Sequence, residues 1–143
     1  MARTARRSQP TVGVTFGDAF HLPHAESRLL CSARPNLLIE GPESTTDAVL
    51  VALTPHLRQP LWTWCAGVQN GTLIVRRVNQ LDGGQQKELL EWLEVATGRV
   101  QVIATSSEPL FPLVQRGTFL DVLYYQLNVV RVEVTATPLS HAS

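Results

Sequence analysis

The sequence predicts an α/β protein in which a mostly parallel sheet carries helices on both faces. Short apolar runs alternate along the chain with segments whose apolar residues recur at helical spacing. The 143 residues are enough for one sizeable core and not for two, so a single domain is expected. In sheets of this kind ligands bind at the carboxyl ends of the strands, which makes the loop after the first predicted strand the first place to look for chemistry.

The first predicted strand and helix set the pattern. Residues 37–39 form a short apolar run that ends at Gly41, which is typical of a strand buried on both faces. Residues 45–54 follow with an apolar stripe at helical spacing, and Pro55 ends that helix.

The remaining elements continue the alternation. Apolar runs predict four more strands, at 61–65, 72–75, 100–104 and 129–134. Helical spacing predicts further helices at 24–33, 84–96, 109–116 and 119–126. Asp82 is a candidate N-cap for the helix over 84–96, while Gly98 and Gly117 are candidate helix ends. In the strand over 61–65, the alternation makes Trp62 and Trp64 point the same way.

The two ends of the chain differ in composition from its middle. Residues 1–11 are polar and rich in arginine, and they predict a mobile basic tail. Residues 12–134 carry the alternating pattern and form the predicted domain, and residues 135–143 predict a second tail.

Composition and charge exclude several classes of protein. With 44% hydrophobic and 17% charged residues, the chain is neither a disordered polyelectrolyte nor a disulfide-stapled mini-protein. Twelve basic and twelve acidic residues cancel, whereas a DNA-binding domain usually carries a basic excess, so no direct DNA binding is expected. No apolar run approaches the roughly 18 residues of a membrane span, and no apolar segment follows the basic start. A cytoplasmic protein without membrane contact is expected.

The residues that bind metals most often do not form a recognisable site. Cys31 and Cys65 are far apart and match no metal-binding spacing. His21 and His24 are three residues apart, but no third ligand lies near them in sequence, so surface or capping roles are expected. The sequence predicts no metal site and no catalytic nucleophile.

The loop after the first strand has the position and length of a phosphate-binding loop without its chemistry. Residues 41–48 read GPESTTDA, where such a loop would read G-x-x-x-x-G-K-[ST]. Thr46 replaces the second glycine, Asp47 replaces the lysine that would reach the terminal phosphates, and Ala48 replaces the hydroxyl that would bind magnesium. An aspartate here would repel a triphosphate.

Several segments together resemble the AAA+ core of sigma-54-dependent transcription activators, the bacterial enhancer-binding proteins, over about residues 36–134. LLIEGPEST at 37–45 is similar to the family's strand and Walker A loop, and NGTLIVRRV at 70–78 is similar to its Walker B strand. VQVIATSSEPL at 100–110 resembles the sensor strand, and QRGTFLDVLYYQLNVV at 115–130 resembles the family's G-x-F-R-x-D-L-Y-Y-R-L-N-V segment. Leu81, Gln86, Leu89, Leu90 and Leu93 keep the spacing of a family helix. The resemblance implies a three-layer P-loop NTPase-like sandwich of five mostly parallel strands, with the former phosphate-loop strand at its centre. Because the resemblance ends before the segment that forms the family's lid, no lid subdomain is expected.

The sequence departs from this family where the family does its chemistry. Arg76 and Arg77 stand at the two acidic positions of Walker B, and Ser107 stands at the sensor asparagine. Leu120 and Gln126 stand at the two arginine-finger positions. Only residues 67–69 lie where the family carries the loop that touches the sigma factor. Since phosphoryl transfer needs a magnesium held by the Walker B acid, these losses together argue against an ATPase.

Three functional hypotheses follow from the resemblance and its departures. The first is a non-catalytic pseudo-ATPase domain that acts through protein contacts in transcriptional regulation, with an intact AAA+ relative or a transcription component as partner. The second is a residual nucleotide-binding domain that takes ATP at Gly41, Ser44, Thr45, Thr46, Asp47, Arg76 and Arg77. The third is a domain that has kept no ligand. Without arginine fingers, a monomer or symmetric dimer is expected rather than a nucleotide-driven hexamer.

The exchange of charges between the two Walker motifs makes a structural prediction. Asp47 takes the place of the lysine, and Arg76 and Arg77 take the places of the acids. We expect Asp47 to contact one of these arginines and the pair to fill the ancestral phosphate site, because charge-assisted hydrogen bonds would offset the cost of leaving both charges there.

Overall fold

The fold is a six-stranded parallel sheet with helices on both faces, seen in a computed structural model that describes residues 11–16, 34–96 and 98–136. The strands are β1 (Thr11–Phe16), β2 (Leu37–Glu40), β3 (Leu61–Trp62), β4 (Thr72–Val75), β5 (Gln101–Ser106) and β6 (Val130–Ala136). The helices are α1 (Glu43–Leu53), α2 (Gly83–Ala96), α3 (Phe111–Arg116) and α4 (Asp121–Leu127), with short 3₁₀ turns at Thr54–His56 and Val78–Gln80. The predicted α/β class is confirmed.

The sheet has the strand order β1-β6-β2-β5-β4-β3, and all five pairings are parallel. β2, which precedes the candidate loop, is one of the two central strands. The sheet has one strand more than predicted, because β1 pairs with β6 at the edge. β1 begins at Thr11 and β6 ends at Ala136, so both strands reach slightly into the predicted tails. Most of those tails, the predicted helix over 24–33, both candidate histidines and Cys31 lie outside the described residues.

Two apolar clusters, one on each face of the sheet, make the three layers. Leu37 and Ile39 point toward α1, while Leu38 points toward α2, α3 and α4, and all three are at most 1% exposed. β2 is therefore buried on both faces, as the apolar run predicted. None of the helices in the described ranges is long and apolar enough to cross a membrane.

Helix ends follow the predicted signals closely. Asp82 Oδ1 accepts the backbone N–H of Gln85 at 2.8 Å, and Gln85 Oε1 accepts the N–H of Asp82 at 3.0 Å, which is a reciprocal capping box. Gly98 and Gly117 adopt left-handed conformations with φ of 84° and 79°, after α2 and α3 respectively. Glycine reaches this region without a Cβ clash, so the helices end there.

The third strand is shorter than predicted. β3 ends at Trp62, and the chain then turns so that the N–H of Val68 donates to the carbonyl of Cys65 at 3.2 Å. Cys65 is buried in the core by this turn rather than by a sheet position. Trp62 and Trp64 both pack against the same apolar cluster, although only Trp62 lies on the strand whose alternation was expected to align them.

Candidate functional site

The 41–48 loop joins β2 to α1 at the carboxyl end of the sheet. The N–H of Gly41 donates to the carbonyl of Ser106 at 3.1 Å, which ties the loop to the end of β5. α1 begins at Glu43, two residues before the predicted start, because the N–H groups of Thr45 and Thr46 both donate to the carbonyl of Pro42 at 2.9 Å. Where a phosphate loop would be open, this chain already forms the first turn of a helix.

The helical turn leaves few groups for an anion. Pro42 has no N–H, and the amides of Thr45 and Thr46 are bonded within the turn. Thr45 and Thr46 are buried, and the Thr46 hydroxyl donates to the carbonyl of Glu43 at 3.0 Å. The exposed Ser44 and the amides of Ser44 and Glu43 are what remains at the mouth of the loop.

Asp47 and Arg76 form the contact that the exchanged charges predict. Arg76 Nη2 donates to Asp47 Oδ2 at 2.7 Å, and Arg76 Nε donates to Asp47 Oδ1 at 3.2 Å, so the pair is bidentate. The two side chains are 49% and 35% exposed. The pair therefore lies at the surface of the loop and is not a buried plug.

A second ion pair lies beside the first. Arg77 Nη1 is 3.1 Å from Glu43 Oε2, and the backbone N–H of Arg77 donates to Thr105 Oγ1 at 3.0 Å. Arg77 has a φ of 55°, a left-handed conformation that non-glycine residues rarely adopt. Both arginines at the former Walker B acids thus tie the end of β4 to α1.

Removing the Asp47 carboxylate is expected to change stability little. In Asp47→Ala, the free energy of unfolding should fall by less than about 1 kcal/mol, because half-exposed ion pairs gain little in a solvent-screened setting. Urea unfolding of the wild type and the variant measures this difference. A loss well above this range would show that the pair is shielded from water, and Glu94→Ala, which removes an exposed acid outside the loop, is the control.

A buried carboxylate lies directly beneath the loop, and the sequence interpretation did not single it out. Glu40, the last residue of β2, is 7% exposed, lies 3.2 Å from Arg131 Nε through Oε1, and accepts the N–H of Leu110 on Oε2 at 3.0 Å. Burial, followed by the negative charge of Glu40, raises the pKa of Tyr124. The signal that could have identified Glu40 in the sequence is an acidic residue directly after a fully apolar run.

The other motif positions form ordinary structural contacts. Ser107, at the sensor position, accepts a hydrogen bond from Asn79 Nδ2 on Oγ at 3.0 Å. Leu120 is 37% exposed before α4, and Gln126 lies within α4 with its backbone carbonyl accepting a bond from Asn36 Nδ2 at 3.0 Å. None of these side chains can supply an arginine finger.

The short segment at 67–69 packs against the body of the domain. Val68 is 6% exposed, and its carbonyl accepts a hydrogen bond from Trp92 Nε1 on α2 at 3.3 Å. Cys65 beside it is a buried free thiol, and burial followed by the charge of Glu88 raises its pKa. Within the described residues, no three His, Cys, Asp or Glu side chains lie together as a metal site.

This fold is that of a P-loop NTPase-like domain of the AAA+ type, with a parallel sheet and a strand–loop–helix unit at its centre. The lysine position of its phosphate loop holds Asp47, and the two acidic positions after β4 hold Arg76 and Arg77. Residues 27–137 match the family described as the sigma-54 interaction domain. The match covers most of the chain, so this protein belongs to that family.

Two sets of known proteins are similar to this chain. The transcriptional regulatory protein TyrR of Salmonella typhimurium strain LT2 is 27% identical over 114 residues, covering 72% of this chain and 22% of TyrR. TyrR of Citrobacter braakii is 25% identical over 130 residues, covering 83% and 24%. NtrX from Brucella abortus, in structures with ADP and with ATP, has the same fold, with TM-scores of 0.62 and 0.58 at 18% identity. These matches cover 76% and 80% of this chain, which spans about a third of NtrX and a quarter of TyrR.

Proposed function

We propose that this domain works without ATP hydrolysis and acts in transcriptional regulation through contacts with another protein. The observation that carries the proposal is the pair of arginines at the former Walker B acids, held by carboxylates of α1. Magnesium needs oxygen ligands at this place, but the two acidic positions carry arginines, and the nearby carboxylates of Asp47 and Glu43 are paired with those arginines. The missing lysine and arginine fingers remove two further parts of the phosphoryl-transfer machinery.

The proposed partner is an intact AAA+ relative or a component of the transcription apparatus, sigma-54 included. The family match supports this class of partner. The segment at 67–69 packs on α2, so a contact with a sigma factor would use another surface than a projecting loop there. Part of the same proposal is a cytoplasmic protein without direct DNA contact, which the balanced charge supports.

We expect purified protein to show no magnesium-dependent ATP turnover above the buffer control, and to stay a monomer or dimer when ATP is added. The reason is that neither the magnesium ligands nor the groups that clamp nucleotide between subunits are present at the motif positions. A coupled ATPase assay and light scattering measure the two quantities on one sample, with an intact sigma-54 activator as the positive control. Turnover that vanishes in Asp47→Ala, or an ATP-dependent hexamer, would contradict the proposal.

A residual nucleotide site is the second candidate, and one observation favours it. Arg76 and Arg77 are each 49% exposed at the mouth of the 41–48 loop, where they could exchange Asp47 and Glu43 for phosphates. Titrating ATP with and without magnesium separates the two candidates. Binding that needs no magnesium and is lost in Arg76→Gln/Arg77→Gln would support the residual site, while no binding would support the protein-contact function alone.

A further inference from the structure

A cavity of about 700 Å³ opens at the amino ends of the strands, on the opposite edge of the sheet from the 41–48 loop. It lies where the chain enters four neighbouring strands, at Asn36, Gly71, Gln101 and Val129. The 41–48 loop follows the carboxyl end of β2, so the length of the strands separates the loop from the cavity. The cavity is therefore distinct from the candidate site above.

The charge of this cavity is unlike that of the whole chain. Arg34, Arg58 and Arg99 line it, and no acidic side chain does so among the described residues. The ion pairs found in the described ranges use other arginines, two directly after β4 and one on β6. Arg99 Nη2 donates to the carbonyl of Val95 at 3.2 Å, which leaves its other N–H groups for a ligand. Three exposed guanidinium groups around one concave surface, in a chain of zero net charge, make a local positive potential that attracts anions.

The floor of the cavity, at Asn36 and Gln101, is held in place by hydrogen bonds to β5, to α4 and to the segment before β2. Asn36 Oδ1 accepts the N–H of Val102 at 2.8 Å, and Asn36 Nδ2 donates to the carbonyl of Gln126 at 3.0 Å. Gln101 Nε2 donates to the carbonyl of Pro35 at 2.7 Å. A floor fixed in this way before a ligand arrives lowers the ordering cost of binding.

One wall of the cavity is apolar and open to water. Val122 and Tyr125 of α4, with Val129 after it, are 50%, 54% and 43% exposed and line the same cavity. Contiguous apolar side chains at a solvent-exposed concave surface are a mark of ligand sites. The Tyr125 ring lines the same cavity as the three arginines and lies edge to face against Tyr124, with 5.1 Å between the ring centroids.

We propose that this cavity binds a small phosphate-bearing molecule with an apolar or aromatic part. The phosphate is held by Arg34, Arg58 and Arg99, because the planar guanidinium fork matches phosphate oxygens in a bidentate way. The apolar part packs against Tyr125 and Val122. The cavity volume lies within the range of small-molecule sites. The proposal does not depend on what happens at the 41–48 loop.

Two-dimensional amide NMR with inorganic phosphate and with phenyl phosphate, in magnesium-free buffer, tests this assignment. We expect the largest amide shifts at Arg34, Asn36 and residues 99–101, and tighter binding of phenyl phosphate than of inorganic phosphate. Arg58→Gln/Arg99→Gln should weaken both ligands by about tenfold or more, since each guanidinium contributes charge-assisted hydrogen bonds. Tyr125→Ala should weaken phenyl phosphate alone.

Arg116→Gln is the matched control, because Arg116 is an exposed arginine that does not line the cavity. It should bind both ligands as the wild type does. If Arg116→Gln weakened ligand binding as much as the double variant does, the effect would come from the overall charge of the protein, and the proposal would be overturned. Shifts confined to residues 41–47, or no binding of either ligand at millimolar concentration, would overturn it as well. Equal affinity for the two ligands would overturn the apolar part of the assignment.

Discussion

Glu40→Leu is expected to lower the free energy of unfolding by about 3 kcal/mol. The change removes the carboxylate that Arg131 contacts and leaves the N–H of Leu110 without its acceptor. Glu40 is only 7% exposed, contacts Arg131 at 3.2 Å and accepts a hydrogen bond from the N–H of Leu110. Arg131 is 31% exposed, so water offsets part of its loss. Urea unfolding measures the change.

The charge and the hydrogen bond of Glu40 can be separated by a set of variants. Glu40→Gln keeps an oxygen for Leu110 and removes only the charge, so it should lose clearly less stability than Glu40→Leu. In Glu40→Leu/Arg131→Met the loss should be smaller than the sum of the single losses by about 1–3 kcal/mol, as expected for groups in direct contact. Glu91→Gln, an exposed acid on α2, is the control. Additive single effects would show that Glu40 and Arg131 do not stabilise one another.

Gln86→Met is expected to cost about 3 kcal/mol, because it leaves two carbonyls and one N–H without the partner they have in the folded state. Gln86 Nε2 donates to the carbonyls of Leu81 and Thr118 at 3.0 and 3.1 Å. Gln86 Oε1 accepts the N–H of Leu120 at 2.9 Å. The side chain is 3% exposed and joins α2 to the turn before α4. Methionine has a similar length, so the change removes the bonds and little volume.

The neighbouring Lys87→Ala provides the control for this change. Lys87 is exposed on the same helix, and its replacement should alter the free energy of unfolding by no more than about 0.5 kcal/mol. If Gln86→Met lies within that range too, the turn between α3 and α4 finds other hydrogen-bond partners, and the bridging role is wrong.

Gln86 also shows how far the resemblance to a family could reach. Its spacing from Leu81 and Leu89 matched the helix pattern of the sigma-54 activators, and the family match agrees with it. The pattern alone did not say what the glutamine does. Its three bonds extend to residues up to 34 positions away in the chain, so only the packing of α2 against α3 and α4 explains it.

The candidate site was predicted in part. The charge exchange between Asp47 and Arg76 was visible in sequence once the two Walker segments were aligned, and the bidentate contact between them confirms that prediction. The sequence did not show that α1 begins at Glu43, because residues 41–48 match the length of a phosphate-binding loop and were therefore expected to be a loop. Pro42 instead accepts two amide bonds and begins the helix there. The proposed absence of ATP hydrolysis stays a prediction.

The sequence by itself determined the α/β class, the order of the elements from β2 onward, both helix-ending glycines and the N-cap at Asp82, since these depend on periodicity and on contacts between near neighbours. Only the tertiary structure decided where β1 pairs, how short β3 is, which partner Glu40 has, and that Arg34, Arg58 and Arg99 surround one cavity. The physical reason is sequence distance. Glu40 and Arg131 are brought together by neighbouring parallel strands, and the three arginines by the amino edge of one sheet, and no local pattern records either arrangement.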